Sequence, residues 1–183
     1  MLLPEALTVL HQELGIPAQY LSSRAQQCCL EATELVDAGL DIYQRPQRMT
    51  AETYQAWHAM QHAAASQQIT LQLVSAFRDY AYQAQLIRRK LQRGLAIAEI
   101  LQINAAPGFS EHHSGRALDL TTPGCAVLEE EFADTPAFAW LEQHAAMFGF
   151  RLSFPRDNLQ GVIYEPWHWY YWGLPSAPVA IGE

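Results

Sequence analysis

The sequence has 183 residues, of which 50% are hydrophobic and 16% are charged; this composition fits one globular domain and excludes a disordered tail or a collagen-like fibre. Its 19 acidic and 11 basic side chains leave a formal net charge of −8. Because no basic stripe is available to neutralise phosphates, we expect no nucleic-acid partner and no attraction to anionic membrane surfaces.

No stretch of the sequence approaches the roughly 20 apolar residues that span a bilayer, so no membrane span is predicted. The N-terminus lacks the basic region of a secretory signal, since the first arginine is Arg24. As written, the chain is expected to be cytoplasmic, and periplasmic or exported if its N-terminus is processed. The cysteines, Cys28, Cys29 and Cys125, form neither a disulfide framework nor a paired zinc set.

The first part of the chain is predicted to be helical. Apolar residues at helical spacing predict helices over residues 4–14 and 22–38, each followed by a glycine. The stretch 43–49 contains a proline and two arginines and is predicted to be a loop. Thr50 is the predicted N-cap of a helix that runs to about Ser66.

Strands are predicted from residue 69 onwards. Alternation of apolar and polar residues indicates a strand over 69–75. Strands are also predicted over 116–121, 150–154 and 161–169, of which the last is very aromatic. Helices are predicted over 79–93, 95–103 and 135–148. Helices come first and strands cluster later, which favours an α+β fold over a regular βαβ alternation.

The segment Ser110–Asp119 contains polar residues whose spacing indicates a shared site. His112 and Asp119 are seven residues apart, which on one helix would separate them by about 10.5 Å, too far to ligate one ion. A loop that carries His112 and turns at Gly115 into a strand that carries Asp119 would bring both side chains together. Ala117, on the same strand face, would leave space beside the carboxylate. The alternative is a polar loop that leads into a strand.

The second segment of interest is Glu165-Pro166-Trp167-His168-Trp169. Pro166 disfavours a helix interior, so a bent strand end there could direct Glu165 and His168 into one cavity. Together the two segments offer two imidazoles, one carboxylate ligand and one spare glutamate, which is the set of groups in a catalytic zinc site. The aromatic side chains could exclude bulk water from such a site, and packing in the core is their alternative role.

The other histidines give weaker metal-binding patterns. His58 and His62 are four residues apart on a predicted helix, but Ala59 occupies the position at which a zinc HExxH motif has its glutamate. We therefore interpret this pair as part of a solvated helix face. His11 and His144 lack acidic or cysteine partners at ligand spacing and are interpreted as structural.

These segments match the pattern of a known family. The pattern Ser-x-His-x-x-Gly-x-Ala-x-Asp is fulfilled at every fixed position, by Ser110, His112, Gly115, Ala117 and Asp119, and residues 165–168 read Glu-Pro-Trp-His. The sequence therefore resembles the zinc D-alanyl-D-alanine carboxypeptidases of the VanY type. That family belongs to a wider group with the lysostaphin-like endopeptidases and the hedgehog signalling domain.

A third segment, residues 75–83, is similar to the family's Ser-x-Tyr-Arg-Ser-x-x-x-Gln segment. Phe77 and Asp79 replace the usual Tyr and Ser, whereas Arg78 and Gln83 are retained. The resemblance extends over about residues 50–172, with the three motifs in the family's order.

The resemblance implies a role for each matching residue. His112, Asp119 and His168 would ligate Zn²⁺, with one ion per chain. Glu165 would act as the general base and then as the acid that protonates the leaving amine, and Arg78 would stabilise the developing oxyanion.

The resemblance also implies residues that contact the substrate. Gln83 and Ser110 would contact the peptide near its free carboxylate, and Trp167 would contribute to substrate binding. His113 falls at a position that varies in the family and is not expected to be a ligand.

With this resemblance, the expected fold is α+β, with a small antiparallel sheet that carries a zinc site, flanking helices and a helical N-terminal extension. We expect residues 1–49 to form that extension, packed on a zinc peptidase domain at 50–173, and residues 174–183 to form a loose tail. The expected partner is a peptidoglycan-derived peptide. The sequence predicts no particular oligomeric state.

The implied activity is removal of a C-terminal D-alanine from peptidoglycan-type peptides. L,D-carboxypeptidases and peptidoglycan endopeptidases carry the same motifs and are alternatives within the enzyme class. A non-catalytic zinc-binding module and a purely structural helical protein are alternatives outside it. Retention of Glu165 beside the ligand motif favours an enzyme, because a site without activity has no need for a base.

Overall fold

The computed structural model describes residues 4–24, 28–159 and 162–174. The start of the strand predicted from Gly161 and residues 175–183 of the predicted tail lie outside the described residues. The α-helices are α1 (Glu5–Leu14), α2 (Ala18–Ser23), α3 (Ala51–Ser66), α4 (Tyr80–Gln92), α5 (Ile97–Ile103) and α6 (Pro136–His144). The strands are β1 (Val36–Leu40), β2 (Pro46–Met49), β3 (Gln72–Ser75), β4 (Ala117–Thr121), β5 (Phe150–Leu152) and β6 (His168–Tyr171). In the described part of the chain, no helix combines the length and apolarity that a membrane crossing needs.

The larger sheet has four antiparallel strands in the order β3-β4-β6-β5. Its central strand β4 is buried at all five positions. Because side chains alternate along a strand, Leu118 and Leu120 point to one face and Asp119 points to the other. The leucines join the main core with Met60 of α3 and Leu141 of α6. The sheet thus packs on helices through one face and presents Asp119 on the opposite face, and the predicted α+β fold is confirmed.

The N-terminal helix α1 packs against a second apolar cluster. Leu14 of α1 lies with Ile87 of α4, Ile100 of α5 and Phe109 in this cluster. His11 is buried in the same region, and its Nε2 lies 2.7 Å from the carbonyl oxygen of Pro107, in agreement with a structural role. The start of the chain therefore supports the loop that leads into the Ser110–Asp119 segment.

The predicted helix over 22–38 and the predicted loop over 43–49 are wrong. Helix α2 ends at Ser23, residues 28–35 lack regular secondary structure, and β1 and β2 form an antiparallel hairpin. The buried carboxylate of Asp41 holds the turn, because it accepts hydrogen bonds from the backbone N–H groups of Tyr43 and Arg45 and from the side chain of Gln47. A turn fixed by one aspartate gives no periodic signal, so the hairpin was not predicted.

The last strand is shorter than predicted. Pro166 lacks the N–H that a strand ladder requires, and the chain turns there, with the N–H of His168 donating to the carbonyl of Glu165 at 3.1 Å. Strand β6 therefore begins at His168.

Candidate metal centre

Three buried side chains meet where β4 and β6 pair. Asp119 lies directly opposite His168 in the strand register. His112 belongs to a 3₁₀ turn, Glu111–Ser114, that ends at Gly115. Gly115 has φ +67°, and a Cβ there would lie 2.7 Å from Leu35 Cδ2, so this reversal into β4 requires glycine. One potential ligand atom from each of His112, Asp119 and His168 lies within 4.8 Å of the others.

His112 presents an unprotonated nitrogen to this cluster. Its Nδ1 lies 2.5 Å from the carbonyl oxygen of Ala76, and because a carbonyl only accepts, Nδ1 carries the hydrogen. Burial, followed by the nearby Arg78 charge, lowers the pKa of His112 to about 4. Its Nε2 is therefore a lone-pair donor, and it is buried without a hydrogen-bond partner among the described residues. This lone pair faces Asp119 Oδ1 at 3.2 Å, an arrangement that a cation between the two atoms would stabilise.

His168 contributes its Nδ1, which lies 3.0 Å from Asp119 Oδ1. Its Nε2 lies 2.9 Å from Glu111 Oε2. Burial lowers the pKa of His168, but hydrogen bonds to Asp119 and Glu111 outweigh it and raise this pKa to about 10. A divalent cation at Nδ1 would replace the proton held there, while Nε2–H continues to donate to Glu111. Two imidazole nitrogens and one carboxylate oxygen are a donor set that zinc accepts, so the residues present fit the ion.

Asp119 is held by two sets of neighbours. The Arg78 guanidinium forms an ion pair with Asp119 Oδ2, which leaves Oδ1 directed at the two imidazoles. Burial raises the pKa of Asp119, but the neighbouring His112 and Arg78 hold it well below its usual range. Asp119 is therefore a carboxylate, as a metal ligand must be. Arg78 Nε also donates to Ser75 Oγ at 2.9 Å, which fixes the guanidinium beside the cluster.

Glu165 lies at the edge of the cluster. Its Oε2 is 3.8 Å from His168 Nδ1, beyond hydrogen-bond distance. Burial raises the pKa of Glu165 to about 7. Its carboxyl group is therefore close to the three potential ligands and suited to exchange protons near neutral pH.

The cluster opens into a cavity of about 630 Å³. The predicted site residues Gln83, Ser110 and Trp167 all line this cavity, together with Arg78 and Glu165. Gln83 is fixed because its Nε2 donates to the Ala105 carbonyl at 2.8 Å, while its Oε1 is buried without a hydrogen-bond partner among the described residues. All eight site residues predicted from the sequence are thus brought to one cavity; the individual roles of these residues remain predictions.

The N-terminal segment forms part of the cavity wall. Tyr20 and Arg24 line the cavity, as do Cys28 and Cys29. The hydroxyl of Tyr20 accepts a hydrogen bond from the N–H of Ala106 at 3.2 Å. Residues that the motifs leave unexplained therefore shape the cavity.

Glu111 and Ser153 are two residues near the candidate metal centre that sequence reasoning missed. Ser153 Oγ donates to Glu111 Oε2 at 2.6 Å, and the same oxygen accepts from His168 Nε2. Metal-binding histidines commonly donate their second N–H to a carboxylate, which fixes the tautomer. The only signal in the sequence was the position of an acidic residue next to His112, which does not reveal contact with a histidine 57 positions later.

Replacing Glu111 with Gln is expected to weaken zinc binding by about 10-fold, because the hydrogen bond to His168 loses its charge and its control of the tautomer. Competition with a chromophoric chelator measures this affinity. Glu130→Gln is the matched control, since Glu130 is paired with Arg156 on the exposed surface. Equal zinc affinities for the two variants would remove Glu111 from the support of His168.

His113 is fully buried beside the cluster but points away from it. Its Nδ1 donates to the Arg78 carbonyl at 2.6 Å, and its Nε2 accepts from the N–H of Gly108 at 3.1 Å. Both nitrogens are therefore used, and His113 joins the Arg78 loop to the loop that precedes Ser110. Its position agrees with the prediction that it is not a ligand.

In the described ranges, the only cluster of three or more potential metal-binding groups is His112, Asp119 and His168. His58 and His62 of the rival pair do not belong to it. His58 lies against the ring of Tyr54 at 4.4 Å between ring centroids, and His62 is exposed. His144 lies 4.8 Å from the ring of Trp140.

Comparison with known proteins gives a consistent set of similarities. A family model described as VanY, D-alanyl-D-alanine carboxypeptidase, matches residues 46–174. A bifunctional D-Ala-D-Ala dipeptidase and D-Ala-D-Ala carboxypeptidase, VanXYC from Enterococcus gallinarum, is 32% identical over 152 residues, which cover 78% of this chain and 74% of that protein.

Two solved structures of peptidases are also similar to this chain. The LdcB LD-carboxypeptidase superposes with a TM-score of 0.70 at 27% identity, over 78% of this chain and 70% of that one. A vancomycin-resistance D,D-pentapeptidase VanY in complex with Zn(II) superposes with a TM-score of 0.62 at 25% identity, over 87% of this chain and 83% of that one.

Proposed function

The chain belongs to the VanY family of D-alanyl-D-alanine carboxypeptidases, and from this we propose that it is a zinc-dependent D,D-carboxypeptidase that removes the C-terminal D-alanine from peptidoglycan-type peptides. It takes one zinc ion per chain, held by His112, Asp119 and His168. The observation that carries the proposal is the convergence of His112 Nε2, Asp119 Oδ1 and His168 Nδ1 at one end of a cavity that also contains Glu165 and Arg78.

Glu165 is the proton carrier of the proposed reaction. Zinc, when bound, supplies a Lewis acid that lowers the pKa of water towards 7 and polarises a carbonyl oxygen. The carboxylate of Glu165 removes a proton from the attacking water and later delivers it to the leaving amine of D-alanine. Its burial and its raised pKa, about 7, support both steps, because a group whose pKa is near the working pH serves as base and acid.

Arg78 stabilises the negative charge that develops on the carbonyl oxygen. Two of its N–H groups are engaged with Ser75 and Asp119, and a guanidinium has five N–H donors in a fixed planar arrangement. Donors remain to face the cavity that Arg78 lines. Because the Arg78 charge is held in place before the reaction, little reorganisation is needed when the oxyanion forms. Such preorganisation is the main source of electrostatic stabilisation in active sites.

The remaining predicted site residues bind the peptide. Gln83 and Ser110 contact it near its free carboxylate, and Trp167 contributes an apolar surface. Ser110 is 6% exposed and Trp167 is 9% exposed, so these two wall residues have little contact with bulk water. Exclusion of water around the scissile bond strengthens the effect of the Arg78 charge.

L,D-carboxypeptidase activity, the removal of D-alanine from a peptide that ends in a single D-alanine, is the second candidate. It is favoured by the similarity to the LdcB LD-carboxypeptidase, which has the higher TM-score of the two solved structures described above. Both activities hydrolyse the peptide bond that precedes a C-terminal D-alanine. They differ in the residue on the other side of that bond.

Mass spectrometry of defined muropeptides tests the proposal. Peptides that end in D-Ala-D-Ala and peptides that end in one D-Ala are incubated with zinc-loaded protein and with protein treated with a chelator. We expect loss of one alanine from the first peptide only, and only with zinc present. Cleavage of the second peptide alone would establish the L,D activity in its place, and no cleavage of either peptide by zinc-loaded protein would refute the proposal.

A further inference from the structure

The only lysine in the sequence, Lys90, lines the active-site cavity. It lies in the last turn of α4, seven residues after Gln83 and three after Ile87. Residues at these spacings share one helix face, and both Gln83 and Ile87 are buried. Lys90 therefore extends the buried face of α4, and its side chain is half-buried.

No carboxylate of the described residues pairs with Lys90. The ion pairs found in the described ranges do not include it. Burial lowers the pKa of Lys90, and the positive charges of Arg93 and Arg78 lower it further. A half-buried lysine usually buries its aliphatic stem and directs its ammonium group to water. Lys90 lines the cavity and has no carboxylate partner in the described residues, so its ammonium group is available to a ligand.

Four acidic residues line the cavity, and none of them forms an ion pair with Lys90 in the described residues. Glu165 is the proposed base, and Glu129 lines the wall. Asp119 contacts Arg78 and the two imidazoles, and Glu111 contacts His168 and Ser153. The cavity thus contains an ammonium group that has no anionic partner among the residues described, on the same helix as Gln83.

We propose that Lys90 forms an anion-binding subsite of the cleft and that its ammonium group binds a carboxylate of the peptide substrate. The inference rests on the proposed carboxypeptidase function and extends it, because it adds a residue outside the three family motifs. A singly charged carboxylate fits better than a phosphate, since the C-terminal end of α4 and the acidic groups of the cavity repel a dianion. The carboxylate is either the C-terminal one or one on an upstream residue of the peptide.

Kinetics with Lys90→Gln measure the contribution of this contact. The parent peptide is compared with two analogues, one with the upstream carboxylate and one with the C-terminal carboxylate replaced by a primary amide. Loss of a charged hydrogen bond raises KM by about 10- to 100-fold, and we expect kcat to change by less than about threefold because Lys90 does not contact the scissile bond. For the analogue that lacks the carboxylate bound by Lys90, the KM of Lys90→Gln should equal the KM of the unsubstituted enzyme. This analogue therefore identifies which carboxylate Lys90 binds.

Arg89→Gln is the matched control for Lys90→Gln. Arg89 is the adjacent residue on α4, is exposed and does not line the cavity. The control removes the same charge and should leave KM unchanged. If KM for the parent peptide is the same in Lys90→Gln and the unsubstituted enzyme, the inference is overturned and the carboxypeptidase proposal is unaffected.

A second measurement needs neither turnover nor substitution of Lys90. Reductive methylation with ¹³C-formaldehyde labels only Lys90 and the N-terminal amine, and it retains the positive charge. In the zinc-loaded Glu165→Gln variant, the parent peptide should shift the dimethyl-lysine signal in a saturable way, and one of the two amide analogues should not. A signal that no peptide moves overturns the inference, whether or not the enzyme cleaves the peptides in the mass-spectrometric test.

Discussion

Replacing Glu165 with Gln lowers kcat by about 10³-fold and leaves the zinc content unchanged, if Glu165 carries the proton as proposed. An amide of the same shape occupies the same space but cannot accept a proton from water. Glu165 Oε2 lies 3.8 Å from His168 Nδ1, whereas Asp119 Oδ1 lies 3.0 Å from that nitrogen and 3.2 Å from His112 Nε2. Glu165 does not belong to the cluster of three potential ligands. The substitution therefore separates proton transfer from metal binding. Release of D-alanine measures kcat, and elemental analysis measures zinc.

Glu142→Gln provides the control for this experiment, because Glu142 is an exposed residue on α6 that does not line the cavity. It makes the same chemical change and should keep full activity. A Glu165→Gln enzyme whose kcat stays within about threefold of the unsubstituted enzyme would remove Glu165 from the role of base, since general acid–base catalysis contributes about 10²- to 10⁴-fold.

The candidate metal centre could be located from the sequence because its three potential ligands belong to short local structures. Within eight residues, His112 lies in a 3₁₀ turn, Gly115 ends that turn with a left-handed conformation, and Asp119 lies in β4. The predicted strand over 116–121 agrees with β4, and the bend predicted at Pro166 agrees with the turn that precedes β6. Strand register then decides whether the segments meet, and the pairing of Asp119 with His168 is a property of the folded sheet.

The residues that sequence reasoning missed all depend on contacts between distant segments. Glu111 supports a histidine from β6, and Lys90 lies in the cavity only because α4 packs with its Gln83 face inwards. Neither contact leaves a periodic or spaced pattern. The helix predicted over 22–38 is wrong because contacts with distant segments override the local preference. The N–H groups of Cys29 and Ala32 donate to the carbonyls of Gly108 and His113, and the chain from Val36 onwards pairs as β1 with β2.

Replacing His168 with Ala is expected to abolish both zinc binding and activity. The substitution removes one of three protein ligands and also leaves Asp119 and Glu111 without a partner that each contacts within 3.0 Å. Asp119 keeps its contact with Arg78, and Glu111 keeps its contact with Ser153, but both lose the histidine. Removing one partner of a buried charged pair destabilises a protein by up to about 3–5 kcal/mol. Circular dichroism and denaturant unfolding therefore accompany the zinc measurement, so that loss of the ion is read on folded protein.

His62→Ala distinguishes this site from the rival pair on α3. His62 is exposed and lies outside the cluster of His112, Asp119 and His168, so its removal should leave zinc content and turnover intact. The expected zinc content is about one ion per chain for the unsubstituted protein and for His62→Ala, and close to zero for folded His168→Ala, as a site with three protein ligands requires. The reverse result, zinc retained without His168 and lost without His62, would move the metal to the helix and leave the buried imidazole and carboxylate cluster without a function.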